Sequence, residues 1–268
     1  MRNVLVLAAL TPLVLSACAS TGRPLAAAPV NNQVTGFLDK TAESDDGLTR
    51  FVTYVPFDYS PDKTWPLVVF LHGAGERGSD GLVQSEVGIG TAIRRNPERW
   101  PAIVIMPQCP EGATWSGALP VVEAAMARTM TEYKIDVDRV YLTGLSMGGF
   151  GTWIWGGLQP ERFAALMPIC GGGDPDFIER LGSGQAANTP GTMEDRVRGL
   201  ATVPVWAFHG ADDDVVPPEL SRDMVERLKA VGGEVRYTEF PETGHNSWDQ
   251  AYGHAEAVAW LFEQRRGG

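Results

Sequence analysis

Arg139-Val140-Tyr141-Leu142-Thr143-Gly144-Leu145-Ser146-Met147-Gly148-Gly149 reads as a strand, a sharp turn and the start of a helix. The first five residues are apolar or β-favouring, and an apolar, helix-like stretch follows over 148–158. Between them stands G-x-S-x-G. A serine held on a strand-to-helix turn has strained backbone angles and little room. Glycines two residues before and after it remove the side chains that would clash. The turn lifts the Ser146 hydroxyl above the sheet edge and aims a helix N-terminus, which favours negative charge, at the same spot.

Working outward, strand-like runs lie at 34–39, 49–55, 67–71, 103–106, 139–143, 164–169, 203–208 and 235–240. The first two suggest an antiparallel start. The later ones are short and continuously apolar, as buried parallel strands are. Helical patterns lie between them, best formed at 119–133, 148–158, 219–231 and 250–264. Strand alternating with helix predicts an α/β fold with a parallel sheet covered on both faces. Residues 174–199 are polar, carry Gly and Pro, and exceed an ordinary connection, so they are either a lid or plain surface padding. No internal repeat of 20–50 residues is visible.

A serine hydroxyl is a weak nucleophile until a base takes its proton. In the chain order Ser, Asp, His, the acid follows one late strand and the base follows the last. After 203–208 comes His209-Gly210-Ala211-Asp212-Asp213-Asp214-Val215-Val216-Pro217. After 235–240 comes Glu242-Thr243-Gly244-His245-Asn246-Ser247-Trp248. His245 is the candidate base, and Asp212, Asp213 and Asp214 compete for the orienting carboxylate. His209 reads as a residue satisfying local bonds at a strand end, and His254 as a structural or surface residue. Neither has metal-ligand spacing.

After 67–71 comes His72-Gly73-Ala74-Gly75-Glu76-Arg77-Gly78. Gly73, Gly75 and Gly78 match G-x-G-x-x-G, but a dinucleotide site also needs a helix opening at the glycines and an acid ending the next strand. Residues 79–90 are rich in Ser, Asp and Gly, and Glu98 lies in a polar, Pro-flanked stretch, so both requirements fail. The better reading is a loop whose backbone amides hold a developing oxyanion. Ala74 is its first candidate donor and Gly75 its second, with Met147, the residue after the serine, as partner. His72 is expected to brace this loop.

These pieces together resemble the α/β-hydrolase superfamily. Within it, the chain is similar to the secreted esterase or "predicted peptidase" group related to polyhydroxybutyrate-depolymerase-like and feruloyl-esterase-like enzymes. The resemblance covers about residues 36–265 and rests on Leu71–Gly78, Ile135–Gly149, Phe208-His209-Gly210 with Asp213 and Pro217, and Gly244–Trp248. It implies an eight-stranded, mostly parallel sheet flanked by helices, in the order 1-2-4-3-5-6-7-8. It selects Asp213, four residues from both His209 and Pro217, as the acid of a Ser146–His245–Asp213 triad. The implied order also separates Cys109 from Cys170 by three strand spacings, roughly 14 Å. A disulfide needs Cα atoms within about 7 Å, so two free thiols are expected.

The chain begins Met1-Arg2, followed by a mostly apolar run over Val4–Leu15 and then Leu15-Ser16-Ala17-Cys18. The run is too short to span a bilayer, which takes ~20 apolar residues, and suits a secretory leader. Its end resembles a bacterial lipobox. Residues 1–17 are therefore expected to be a cleaved signal peptide, Cys18 a lipidated N-terminus, and 18–33 a tether. Residues 34–268 then form one catalytic domain anchored through lipid, expected at the outer membrane.

The 268 residues carry 22 Lys and Arg against 33 Asp and Glu, a net charge of −11. That excess argues against nucleic acid as a partner, because phosphate binding needs a basic face. Three cysteines exclude a disulfide scaffold, and four histidines leave little for a metal site. The expectation is a serine hydrolase of carboxylic esters, with no metal or organic cofactor and a small-molecule or polysaccharide-derived ester as substrate. Trp115 and Trp248 are candidate pocket walls or core aromatics. Two rivals stand beside this reading: a small serine peptidase of prolyl-oligopeptidase type, and a non-catalytic, surface-anchored binder on a hydrolase fold.

Overall fold

A computed structural model describes residues 34–44, 47–180, 189 and 191–267. The expected leader 1–17, Cys18 and the tether 18–33 lie outside the described residues, as do 181–188 and 190 of the candidate lid. Among the described residues no helix is long and apolar enough to cross a membrane.

Eight strands form one sheet: β1 (Gly36–Ser44), β2 (Gly47–Val55), β3 (Trp65–Leu71), β4 (Ile103–Pro107), β5 (Ile135–Leu145), β6 (Ala165–Ile169), β7 (Val205–Gly210) and β8 (Val235–Phe240). Their spatial order is β1-β2-β4-β3-β5-β6-β7-β8, as the resemblance implies. β1 pairs with β2 and β2 with β4 antiparallel; every other pair is parallel. The continuously apolar runs are the central strands: β3, β4, β6 and β7 are buried along their whole length. β1 reaches Ser44, well past the apolar start at 34–39, because an edge strand tolerates the polar Asp39–Ser44 segment that a central strand would not.

The helices are α1 (Ile89–Arg95), α2 (Leu119–Glu132), α3 (Met147–Leu158), α4 (Pro175–Arg180), α5 (Met193–Leu200), α6 (Glu219–Ala230), α7 (Trp248–Gly253) and α8 (Ala255–Glu263). Two apolar clusters, one on each sheet face, form the core. One joins β3 and β5 residues to α2, α3, α5 and α6, and includes Trp153, Phe150, Val122 and Leu228. The other holds Ile89, Ile93, Tyr252, Val258 and Trp260 of α1, α7 and α8. The expected single helix 250–264 is two helices. His254 interrupts it with an extended backbone, and its Nδ1 accepts the Ala257 amide at 3.2 Å as the N-cap of α8. Inside 174–199 a second helix appears: Thr192 and Asp195 close a reciprocal capping box that starts α5.

Strand register brings the chemistry to one edge. Leu71 lies opposite Gly144, Leu145 opposite Ile169, and Ile169 opposite Phe208. The carboxyl ends of β3, β5, β6 and β7 therefore line up, and the turns after them converge where open α/β sheets hold their ligands.

Candidate active site

The turn after β5 is as tight as its glycines predict. Ser146 has φ 52° and ψ −118°, in the region a side-chain-bearing residue rarely occupies. A Cβ on Gly148 would collide with the Leu71 carbonyl, and one on Gly144 with the Gly148 carbonyl. The Ser146 amide donates to the Ile169 carbonyl at 3.0 Å, which ties the strained residue to β6.

Three distant loops meet over this serine. The Ser146 hydroxyl donates to Nε2 of His245 at 2.9 Å, and Nδ1–H of His245 donates to Oδ2 of Asp213 at 2.7 Å. Of the three aspartates only Asp213 is buried; Asp212 and Asp214 point to solvent. Oδ1 of Asp213 accepts the amides of Val215 at 3.0 Å and Val216 at 2.9 Å. Burial opposes a charge at Asp213. The imidazoles of His209 and His245 and the Val216 amide outweigh it and hold the carboxyl well below the usual carboxylate range.

The two candidate oxyanion donors both open helical turns. Met147 is the first residue of α3, and Ala74 the first of a short 3-10 turn over Ala74–Glu76. Amides in a first turn have no i−4 carbonyl to bond. Both residues line a pocket of about 220 Å³ with Gly75, Glu76, Ser146 and His245. His72 braces this loop as expected. It is fully buried, its Nδ1–H donates to the Gly73 carbonyl at 2.6 Å, and its Nε2 accepts the Cys109 amide at 2.9 Å. Burial pushes it down to about 4, so it stays neutral at neutral pH.

The two tryptophans part company. Trp248 lines the pocket and meets the His245 ring edge-on, with centroids 5.5 Å apart. Trp115 is 1% exposed; its indole donates to the His72 carbonyl at 2.9 Å, so it belongs to the core. Cys109 and Cys170 are both buried and free, as the strand order implies. Cys170 directly follows β6, with φ 40°. Its sulfur, an Asp213 oxygen and a His245 nitrogen lie within 4.8 Å of one another. Metal ligation needs a thiolate, whereas burial pushes the Cys170 thiol up to about 12. Asp213 and His245 already spend the facing atoms on each other.

Sequence reasoning missed three things here: the position of Cys170, the contact of His209 with Asp213, and the place of Glu76 in the pocket wall. Only the last had a local signal, since Glu76 stands in the loop that carries Ala74.

The sheet order, the serine turn and the converging loops make this chain an α/β-hydrolase-fold protein. A solved thermostable esterase is 37% identical, with a TM-score of 0.72 over 86% of this chain and 63% of its own. Poly(3-hydroxyalkanoate) depolymerase C of Paucimonas lemoignei is 30% identical over 109 residues, 36% of this chain and 26% of that protein. A feruloyl esterase module from Clostridium thermocellum shares the fold, with a TM-score of 0.62 over 85% of this chain and 88% of its own, at 18% identity. The chain spans under half the length of the curated relatives it matches. No family model matches.

Proposed function

We propose that the protein is a serine hydrolase that cleaves carboxylic esters through an acyl-enzyme on Ser146. One observation carries the reading: the unbroken hydrogen-bonded row Ser146–His245–Asp213 beside two first-turn amides. In this mechanism Ser146 Oγ attacks the acyl carbon and its proton passes to His245 Nε2. The amides of Ala74 and Met147 hold the tetrahedral oxygen. His245 returns the proton to the leaving alcohol. Water, activated by the same imidazole, then breaks the acyl–serine bond.

The nearby Cys170 is the other conceivable nucleophile, and the physical chemistry disfavours it. The reactive form of cysteine is the thiolate. This thiol has no solvent-exposed surface and is held protonated by burial. Ser146 opens into the pocket and Cys170 does not line it. A pocket of about 220 Å³ suits short acyl groups or a single ring, since drug-sized sites start at roughly 300 Å³. Short-chain and carbohydrate-linked esters are therefore the proposed substrates. Export as a lipoprotein acylated at Cys18 completes the proposal, with the membrane as partner only through that anchor.

The test is a hydrolysis screen over p-nitrophenyl esters, acetylated xylan, feruloylated sugars and p-nitroanilide peptides. A phosphonate inhibitor is used to titrate the serine. Ester turnover that vanishes in Ser146→Ala and persists in Cys170→Ala is expected. Wild-type turnover in Ser146→Ala ends the assignment. Faster cleavage of amides than esters makes the protein a peptidase. An inert serine in the phosphonate titration makes it a binder.

A further inference from the structure

Asp213 carries a second imidazole. His209, the penultimate residue of β7, is fully buried, and its Nε2 lies 3.2 Å from Oδ2 of Asp213, the oxygen that also receives His245. The same Nε2 lies 2.9 Å from the Val216 carbonyl. Both neighbours are oxygens that only accept, so Nε2 carries a proton. On the far side of the ring, Nδ1 meets the Ser221 hydroxyl at 2.7 Å, and that hydroxyl reaches the Gly171 carbonyl at 2.9 Å. Ser221 is itself buried on α6. The ring is thus held on both edges and has no freedom to leave the carboxylate.

With Nε2–H of His209 counted, four N–H groups lie within 3.2 Å of the Asp213 carboxylate: Val215 and Val216 at Oδ1, His245 and His209 at Oδ2. A plain strand-end histidine would need only its local backbone bond. Here the bond to Val216 and the contact with Asp213 share one proton, which couples the shape of the 213–216 turn to the position of the triad oxygen.

We propose that His209 is a positioning residue of the triad: its Nε2–H, shared between the Val216 carbonyl and Asp213 Oδ2, fixes the carboxylate in the rotamer that meets His245. The inference rests on the triad reading above and extends it by one member. Its consequence is directional. Without this donor, the negative charge on Asp213 is neutralised less from behind and pulls harder on the imidazolium of His245, so the acidic limb of kcat/KM moves to higher pH. The other ionisable groups facing this pair are Cys170 directly after β6 and Glu239 on β8. Cys170 stays protonated, held up at about 12 by burial. Glu239 is paired with Arg222 at 2.6 Å, a contact that holds its carboxyl below the ordinary glutamate range. Neither crosses the acidic limb.

Two variants separate positioning from folding. The amide of His209→Gln reaches the place of Nε2 and restores a donor to Asp213. His209→Asn reaches only the place of Nδ1 and keeps the Ser221 side. In the full chain, His209→Asn is expected to lower kcat roughly 10- to 100-fold, the loss expected for one hydrogen bond to a charged group. KM should stay within about twofold and the acidic limb should shift upward. His209→Gln should recover most of the rate and return the limb. If both variants lose rate equally with the limb unmoved, or if His209→Asn matches wild type, the proposal is wrong. If neither variant folds, nitrogen-15 NMR of the labelled wild-type histidines decides, with a bare Nε2 on His209 overturning it. Ser146→Ala as a parallel control keeps the two readings apart. Full activity there removes the triad itself, whereas a dead Ser146→Ala beside a wild-type-like His209→Asn removes only this inference.

Discussion

The loop that carries Asp213, the proposed acid loop, and the His72–Gly78 loop, the proposed oxyanion loop, flank the same serine and are finished in opposite ways. At the acid loop each carboxylate oxygen of Asp213 has two N–H groups within 3.2 Å, and the side chain is shut off from water. At the other loop the amide of Ala74, like that of Met147 across the pocket, opens a helical turn, and Oε2 of Glu76 is buried with no hydrogen-bond partner. The contrast follows from what each loop does in the proposed reaction. Asp213 keeps one charge and one orientation throughout, so saturating it costs nothing during turnover. The other loop receives a charge that exists only in the transition state. Its donors must stand ready and unspent, because preorganised dipoles need no rearrangement when the charge appears.

The largest expected effect breaks the saturated side. Asp213→Asn keeps the shape but replaces an acceptor with a donor facing His245 Nδ1, which favours the wrong imidazole tautomer. A fall in kcat of about 10⁴ is expected, measured on any ester the wild type turns over. A loss below tenfold would falsify the claim that this carboxylate orients the base. The next effect breaks the open side. A Cβ on Gly73 would sit 2.9 Å from Leu145 Cδ1 and 3.1 Å from Glu76 Oε2, so Gly73→Ala pushes on two side chains that line the pocket beside the Ala74 amide. Losing one oxyanion donor costs roughly 10² or more in kcat, and burst kinetics on a p-nitrophenyl ester should show acylation slowed. An unchanged acylation rate would mean that the Leu145 and Glu76 side chains absorb the methyl and that the pocket wall here is not rigid.

What could be read from the sequence divides along the same line. The serine turn, the His72–Gly78 loop and the apolar strands are contiguous signals, each written in residues a few positions apart, and the structure keeps them where they were read. The choice of Asp213 over its two neighbours needed the family resemblance; in space it reduces to which side chain is buried. The strand order that the resemblance implies was enough to keep Cys109 and Cys170 unbonded. Contacts between elements were not legible. Nothing local separates Trp115 from Trp248, or says that Cys170 lies within 4.8 Å of Asp213 and His245. The start of α5 had a signal in Thr192 and Asp195, but two polar residues in a Gly- and Pro-bearing stretch read first as loop. His254 looked like one more helical residue because its role as a cap lies in its backbone angles.

The smallest effect concerns stability, and it sets the two carboxyls against each other. Asp213 titrates below its unfolded value, so its contribution to stability is complete above the ordinary carboxylate range and is lost as pH falls toward the folded value. Glu76 has the opposite sign. Burial raises it, against the pull of the Gly73 and Glu76 amides, so the fold prefers its protonated form and loses stability as pH rises from the ordinary carboxylate range through the raised value. Glu76→Gln mimics the protonated form at every pH. The variant should therefore be more stable than wild type at pH 8, by about 1 kcal/mol or roughly 2–4 °C in Tm, the cost of one imperfectly satisfied buried group in a chain this size. The difference should shrink toward zero at pH 4, which lies below the raised value, so the folded wild type already holds its proton there. Melting curves at the two pH values decide it. A Tm difference that does not change with pH would mean that the strain at this loop is one of shape rather than charge, and that its unsatisfied oxygen is not what distinguishes it from the acid loop.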